Sequence, residues 1–188
     1  MNNSLVTSVE GAAIIAEEAL PAASALGGVR PDDALRSGVL RDATLLAGKN
    51  GCGRMIQSAL PLEVPDTARW LKGGELVLTT GYVLRDAVEP WVAFLRALNE
   101  AHAAGLIVLA SPYVRMIPDE AIAYAEQHAF PLLVLAAPGP IVDVVRPIQE
   151  AIEASRAGSV REGLNLQRRL MQLVLDGNGL EAIAKFLA

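Results

Sequence analysis

Three loops in this chain carry side chains suited to binding a small molecule, and each follows an apolar segment typical of a buried strand. The loops are residues 79–82, 111–115 and 137–139. In the second loop, Arg115 offers paired donors to a carboxylate and Tyr113 offers a flat ring for stacking. We therefore expect a planar or anionic metabolite, bound by Thr79, Thr80, Gly81, Tyr82, Ser111, Tyr113, Arg115, Glu63 and Glu75.

Several of these residues also have a purely structural explanation. β-Branched residues such as Thr79 and Thr80 are favoured at the end of a strand even without a ligand, and Arg115 is equally typical of a solvated loop. Glu75 begins an otherwise apolar strand, where a carboxylate either caps local backbone or faces a pocket. Gly73-Gly74 precedes a strand, whereas a phosphate-binding loop follows a strand and opens a helix, so we expect a tight turn there.

Composition narrows the function classes. The 188 residues carry a formal charge of −5 with scattered basic residues, whereas DNA-binding surfaces need clustered cations. Cys52 is the only cysteine, which excludes an intrachain disulfide and a zinc site built from several thiolates. We also expect that the protein has no cofactor. The sequence has no evident nucleophile–base pair and no dinucleotide-binding fingerprint, so we expect that the protein is not an enzyme. Without a signal sequence or a run long enough to span a bilayer, a soluble cytoplasmic protein with no membrane contact is expected.

The elements that position the loops follow from the alternation of apolar strands with helices. Strands are predicted at 43–48, 75–80, 106–110 and 132–136, and helices from Pro31, over 90–104, from Pro118 and from Ile141. Strands that are apolar throughout must be covered on both faces, and their alternation with helices favours parallel βαβ units. We expect an α/β fold, a mostly parallel sheet with flanking helices, followed by a C-terminal helical linker.

Two residues have a predicted place inside this fold. The helix over 90–104 would put His102 on its inward face and Gly105 at a left-handed cap. Trp70 is expected to anchor the core or an interface.

Four segments are expected along the chain. Residues 1–28 form an N-terminal extension, 29–147 a sensing domain, 148–176 the helical linker and 177–188 the start of a truncated following domain. A soft joint at Ala157-Gly158-Ser159 would divide the linker. The apolar face of the last segment has no evident partner, so the chain is expected to be a fragment.

One stretch is distinctive. Glu63-Val64-Pro65-Asp66 is followed by Trp70-Leu71-Lys72-Gly73-Gly74-Glu75-Leu76-Val77-Leu78-Thr79-Thr80-Gly81. This resembles the E-x-P-D and W-L-x-G-G-E-L-x-L-T-T-G pattern of the N-terminal domain of purine-catabolism-regulator (PucR-like) transcription regulators. The resemblance covers roughly residues 29 to 150, and it is weaker over 56–62, where the family more often has an aromatic residue and a histidine.

The resemblance implies the effector-sensing domain of a bacterial regulator of a catabolic pathway. Such a domain binds a small-molecule effector and relays binding through the helical linker to a C-terminal helix-turn-helix. That DNA-binding part is absent from this chain, so contact with DNA would be made only through it. A homodimer is expected because DNA half-sites come in symmetric pairs. The alternatives are a pure dimerisation domain, suggested by Leu166, Leu170 and Leu173, and a small α/β enzyme.

Overall fold

A five-stranded sheet lies between two layers of helices in the computed structural model, which describes residues 27–85, 89–114, 116–136 and 139–175. The strands are β1 (Ala43–Ala47), β2 (Ser58–Pro61), β3 (Glu75–Thr79), β4 (Gly105–Leu109) and β5 (Leu132–Leu135). The helices are α1 (Pro31–Arg36), α2 (Glu89–Glu100), α3 (Asp119–Gln127) and α4 (Ile141–Leu175), with short 3-10 turns at Lys49–Gly51, Pro65–Trp70 and Tyr82–Leu84.

The strand order is β1-β5-β4-β3-β2, and every neighbouring pair is parallel except β1 with β5. The predicted α/β class with a mostly parallel sheet is therefore confirmed. Strand β2 was not predicted. It lies at the edge of the sheet with β3 as its one neighbour, so it does not need a continuous apolar run, and it can end on Pro61.

Alternation of side chains along each strand divides the core between two faces of the sheet. The front face, covered by α2 and α3, is built around Val77, Leu106, Val108, Leu132, Trp91, Leu95 and Ala121. The back face, covered by α1 and α4, is built around Leu76, Leu78, Ile107, Leu133, Ala34, Ile148 and Ile152. The chain segments that join β2 to β3, β3 to β4 and β4 to β5 all lie on the front face. These four strands are neighbours in the sheet in the same order as in the chain, so the direction of strand addition never reverses. The sheet therefore lacks the switch point at which doubly wound folds open a ligand crevice.

Helix α4 is continuous over 35 residues, so the predicted joint at 157–159 is wrong. Gly158 carries a helix-interior cost of only about 1 kcal/mol relative to alanine, which good helix formers on either side outweigh. The first half of α4 packs Ile148 and Ile152 against the back face, whereas residues 156–169 are exposed. The helix that contains the predicted linker therefore begins at Ile141 and packs on the sheet through its first half.

The end of α2 also differs from expectation. The helix stops at Glu100, and His102 is an exposed turn residue with a φ of 57°, so its predicted inward position is wrong. Gly105 is not a left-handed cap but the first residue of β4. A Cβ atom there would lie 2.9 Å from the carbonyl oxygen of Pro131, so glycine is needed for the close approach to the neighbouring chain segment.

Candidate functional site

Seven of the predicted binding residues meet where β2, β3 and β4 end. We call them the carboxyl-edge cluster: Glu63, Thr79, Thr80, Gly81, Tyr82, Ser111 and Tyr113. Glu63 follows β2 and reaches across to the exit of β3. Its Oε1 accepts the backbone N–H of Thr80 at 2.8 Å, and its Oε2 accepts the hydroxyls of Thr80 at 2.9 Å and Thr79 at 3.4 Å.

The polar atoms beneath this cluster bond to one another. The hydroxyl of Ser111 donates to the carbonyl oxygen of Thr80 at 2.8 Å and accepts the backbone N–H of Tyr113 at 3.3 Å. The hydroxyl of Thr79, which is fully buried, accepts the N–H of Gly81 at 3.1 Å. The threonine and serine hydroxyls therefore bond within the protein and form a hydrogen-bonded floor beneath the cluster.

Position 81, in the loop above this floor, requires glycine. Its φ is +69°, and a Cβ atom would lie 2.2 Å from Cγ2 of Val114 in the adjacent loop. Any side chain would be strained and would push the two loops apart.

Two tyrosines form the exposed part of the cluster. The rings of Tyr82 and Tyr113 meet edge to face, with centroids 4.8 Å apart, and the residues are 47% and 48% exposed. The guanidinium of Arg85 lies 4.0 Å from the ring centroid of Tyr82. Sequence reasoning missed Arg85, although its spacing of three from Tyr82 in a helical turn is the signal that would have placed them together. Together the two perpendicular rings form an exposed aromatic surface, with the positive charge of Arg85 against the ring of Tyr82.

The remaining parts of the prediction are Arg115, the third loop and Glu75. Arg115 and residues 137–138 of the third loop lie outside the described residues. Glu75 lies at the opposite end of β3, where it is buried and its two carboxylate oxygens accept the N–H groups of Lys72 at 2.8 Å and Gly73 at 2.9 Å. Glu75 therefore caps the turn of Lys72-Gly73-Gly74, the structural alternative considered for it.

Beside this turn lies a second feature, which we call the amino-edge cleft. It has a volume of about 550 Å³, and its walls include Arg54, Gln57, Lys72, Gly73, Asn99 and His102. Sequence reasoning missed it because Arg54 and Asn99 are far apart in the chain and neither lies in a recognisable motif.

Arg54 is held firmly at this cleft. Its Nη1 donates to the carbonyl oxygen of Ala103 at 2.9 Å, and its Nη2 donates to Oδ1 of Asn99 at 2.7 Å. The guanidinium also lies 5.2 Å from the centroid of the Phe130 ring. Partial burial lowers the pKa of Arg54 from its ordinary value, but a guanidinium stays charged in proteins. A fixed positive charge is therefore present at the cleft wall.

Other candidate groups have structural explanations. Cys52 is buried, and that burial raises the pKa of its thiol. Trp70 is 68% exposed, so it is not a core residue, and it borders a smaller cleft of about 330 Å³ with Leu60 and Glu63. Among the residues that the structure describes, no group of His, Cys, Asp and Glu could hold a metal ion. None of the described helices is long and apolar enough to cross a membrane.

Comparison with known proteins places these features in a family context. The model of the purine catabolism regulatory protein-like family matches residues 33–152, a span that includes the carboxyl-edge cluster and the amino-edge cleft. The purine catabolism regulatory protein of Bacillus subtilis (strain 168) is 27% identical over 153 residues, which are 81% of this chain. The chain spans 29% of the length of that relative.

One solved structure is weakly similar to this chain. It comprises the CBS and DRTGG domains of the regulatory region of a Clostridium perfringens pyrophosphatase, complexed with the activator diadenosine tetraphosphate. Its sequence is 9% identical and its TM-score is 0.43, over 78% of this chain and 58% of that chain.

Proposed function

We propose, from the premise that this chain belongs to the purine catabolism regulatory protein-like family, that it is the effector-sensing part of a bacterial transcription regulator of a catabolic pathway. The matching Bacillus subtilis protein is named a purine catabolism regulatory protein, and the chain spans 29% of its length. In this proposal the regulator acts in the cytoplasm and binds DNA through a helix-turn-helix outside this chain. The chain itself catalyses no reaction.

The observation that carries the proposal is the exposed surface of Tyr82, Tyr113 and Arg85 at the ends of neighbouring strands. Aromatic rings beside a guanidinium suit a planar or anionic metabolite, since they combine stacking with charge pairing. The floor formed by Glu63, Thr80 and Ser111 keeps the two loops in place before a ligand arrives. Preorganisation of this kind reduces the entropy lost on binding.

The remaining predicted residues have defined parts in this proposal. Arg115, which follows Val114 in the chain, supplies a second cation to the effector. Thr79, Thr80 and Gly81 shape the site, and Glu75 is no longer assigned to it.

Helix α4 is the element proposed to carry the signal onward. It packs Ile148 and Ile152 against the back face of the same sheet whose strands end at the cluster. An effector that binds one arrangement of the sheet and α4 better than another shifts the balance between the two arrangements. The exposed end of α4 then differs between the free and bound states.

Calorimetry with purified protein tests the effector site, using xanthine, urate, allantoin and benzoate as ligands. We expect at least one to bind, and Tyr82→Ala to weaken its binding about tenfold, a loss of ~1.4 kcal/mol. Tyr124→Ala is the matched control because Tyr124, the third tyrosine of the chain, lies on α3, where it stacks on His128 at the end of the same helix. The proposal fails if none of the four binds, or if the Tyr82 and Tyr124 variants bind as the parent does.

A second candidate function is dimerisation through α4. Val160, Leu164 and Met171 are exposed on this helix at the four- and seven-residue spacings of a coiled-coil seam. Leu166 is also exposed, whereas the side chains of Leu170 and Leu173 lie outside the described residues. Sedimentation of the chain, compared with a chain ending at Gly158, tests this candidate. We expect a dimer that is lost on truncation, and a monomer at millimolar concentration would refute it.

A further inference from the structure

The amino-edge cleft has the size and lining of a small-molecule site. Its volume of about 550 Å³ falls within the ~300–1,000 Å³ typical of ligand pockets. It lies at the start of β3, whereas the carboxyl-edge cluster lies at the end of that strand. The two sites therefore share a strand but no residues.

The charge at this cleft is positive. Arg54 and Lys72 are among its lining residues, and none of the described residues that line it is acidic. The carboxylate of Glu75 lies behind the turn, where it accepts the N–H groups of Lys72 and Gly73. Since the N–H of Gly74 donates to the carbonyl oxygen of His102 at 2.9 Å, the backbone amides of this turn are already used. An incoming anion must therefore bind to side chains.

Those side chains have donors to offer. A guanidinium carries five N–H bonds, and Arg54 donates from Nη1 and Nη2 to one acceptor each. Arg54 lines the cleft, and the bonds to Ala103 and Asn99 fix the plane of its guanidinium there. Lys72 is exposed and brings a mobile ammonium that can close on a ligand from the rim.

We propose that the amino-edge cleft binds the oxyanion group, carboxylate or phosphate, of a small metabolite. Arg54 holds the anion at the wall, Lys72 pairs with it from the rim, and Asn99 and His102 contact the rest of the ligand. This site is separate from the effector surface at Tyr82 and does not depend on that assignment.

Gln57 connects the cleft to helix α4. Its backbone N–H donates to the carbonyl oxygen of Gly74 at 2.7 Å, and its carbonyl oxygen accepts Nη2 of Arg156 at 2.7 Å. One cleft residue is thus bonded both to the glycine turn and to α4. A regulatory effect through this route rests on the proposed function, whereas binding itself does not.

Backbone NMR of the 188-residue chain tests the site, with inorganic phosphate and malonate as probes and sodium chloride at equal ionic strength as the blank. We expect saturable shifts of the amide signals of Gly73, Gly74 and His102 with at least one probe. A stronger response to phosphate identifies a phosphorylated metabolite, and a stronger response to malonate identifies a carboxylate. Shifts that grow linearly without saturation, or that the chloride blank reproduces, would overturn the proposal.

Two variants locate the site. Lys72→Gln should weaken binding of the probe about two- to fivefold, as expected on losing one exposed charge pair. Lys49→Gln removes another exposed lysine, from a different turn, and should change nothing. Tyr82→Ala should also leave phosphate and malonate binding unchanged, so a failure here is distinguishable from a failure of the effector surface. Equal binding by the Lys72 and Lys49 variants would refute the assignment.

Discussion

Glu63 binds Thr80 through both of its carboxylate oxygens, one to the backbone N–H at 2.8 Å and the other to the hydroxyl at 2.9 Å. This pair ties the loop after β2 to the exit of β3, although the two residues are seventeen positions apart in the chain. It is a side-chain clamp between two parallel strands at the point where their backbone pairing stops.

The clamp predicts a measurable loss of stability on removing the carboxylate. Glu63→Ala should lower the free energy of unfolding by about 1–2 kcal/mol, because a half-buried N–H and a hydroxyl lose their charged acceptor. Glu63→Gln should cost less, since an acceptor oxygen remains. Urea denaturation measures both. Glu153→Ala, at an exposed position of α4, is the control, and an equal loss in the control would contradict the role of the clamp.

Gly81 should tolerate alanine poorly. A Cβ atom would combine a left-handed backbone with a 2.2 Å approach to Val114, and we expect a loss of about 2–4 kcal/mol from the two effects. Gly38→Ala separates them, because Gly38 has a φ of +82° but no atom within 4 Å of the added Cβ. Its expected loss is about 1–2 kcal/mol. If the two variants lose the same stability, contact with Val114 is not part of the reason for glycine at position 81.

Cys52 should react slowly in the folded protein. Burial raises the pKa of its thiol, and the thiolate is the reactive form, so labelling by iodoacetamide at pH 8 should be at least about tenfold slower than in 6 M urea, because it requires local opening. The raised pKa also makes the free energy of unfolding depend on pH, because the thiol of the unfolded chain releases its proton at a lower pH than the thiol of the folded protein. The contribution of Cys52 to that free energy is therefore present below the unfolded-state pKa. It is lost as the pH rises through the folded-state pKa. Equal labelling rates in both states would contradict the buried position.

The two halves of α4 should respond differently to truncation of a side chain. Ile152→Ala should cost about 2–4 kcal/mol because Ile152 is buried on the back face. Leu164→Ala should stay within about 0.5 kcal/mol in the monomer, since Leu164 is half exposed. Thermal unfolding at two protein concentrations measures both. A large, concentration-independent loss for Leu164→Ala would show that the far half of α4 packs on its own domain.

Much of the fold followed from the pattern of apolar residues. The runs at Leu106–Leu109 and Leu132–Leu135 are buried on both faces, which requires helices on both sides and makes a parallel arrangement predictable. The edge strand β2 could not be recognised in the same way, because its four residues are only partly buried and end on Pro61. Local rules also failed at Gly105, where the reason for glycine is a contact with Pro131 from a distant part of the chain.

The candidate site was predictable in part for the same reason. Residues that directly follow parallel strands meet at one edge, so Thr80, Tyr82 and Ser111 were correctly placed together. Glu75 starts β3 and therefore lies at the other edge, a consequence of strand direction. The amino-edge cleft depends on a contact between Arg54 and Asn99 that arises only once the sheet and α2 have packed, and a single sequence carries no signal for it.

The uninterrupted course of α4 gives the domain a mechanical property. At ~1.5 Å of rise per residue, the 35-residue helix is about 52 Å long, and the part beyond Arg156 acts as a lever of roughly 28 Å. A tilt of about 4° at the base of this lever, near Arg156, would move its tip by ~2 Å, comparable to the helix shifts at subunit interfaces in allosteric transitions. A displacement at the base of the lever that is too small to disturb the packed core can therefore become a larger displacement at its tip.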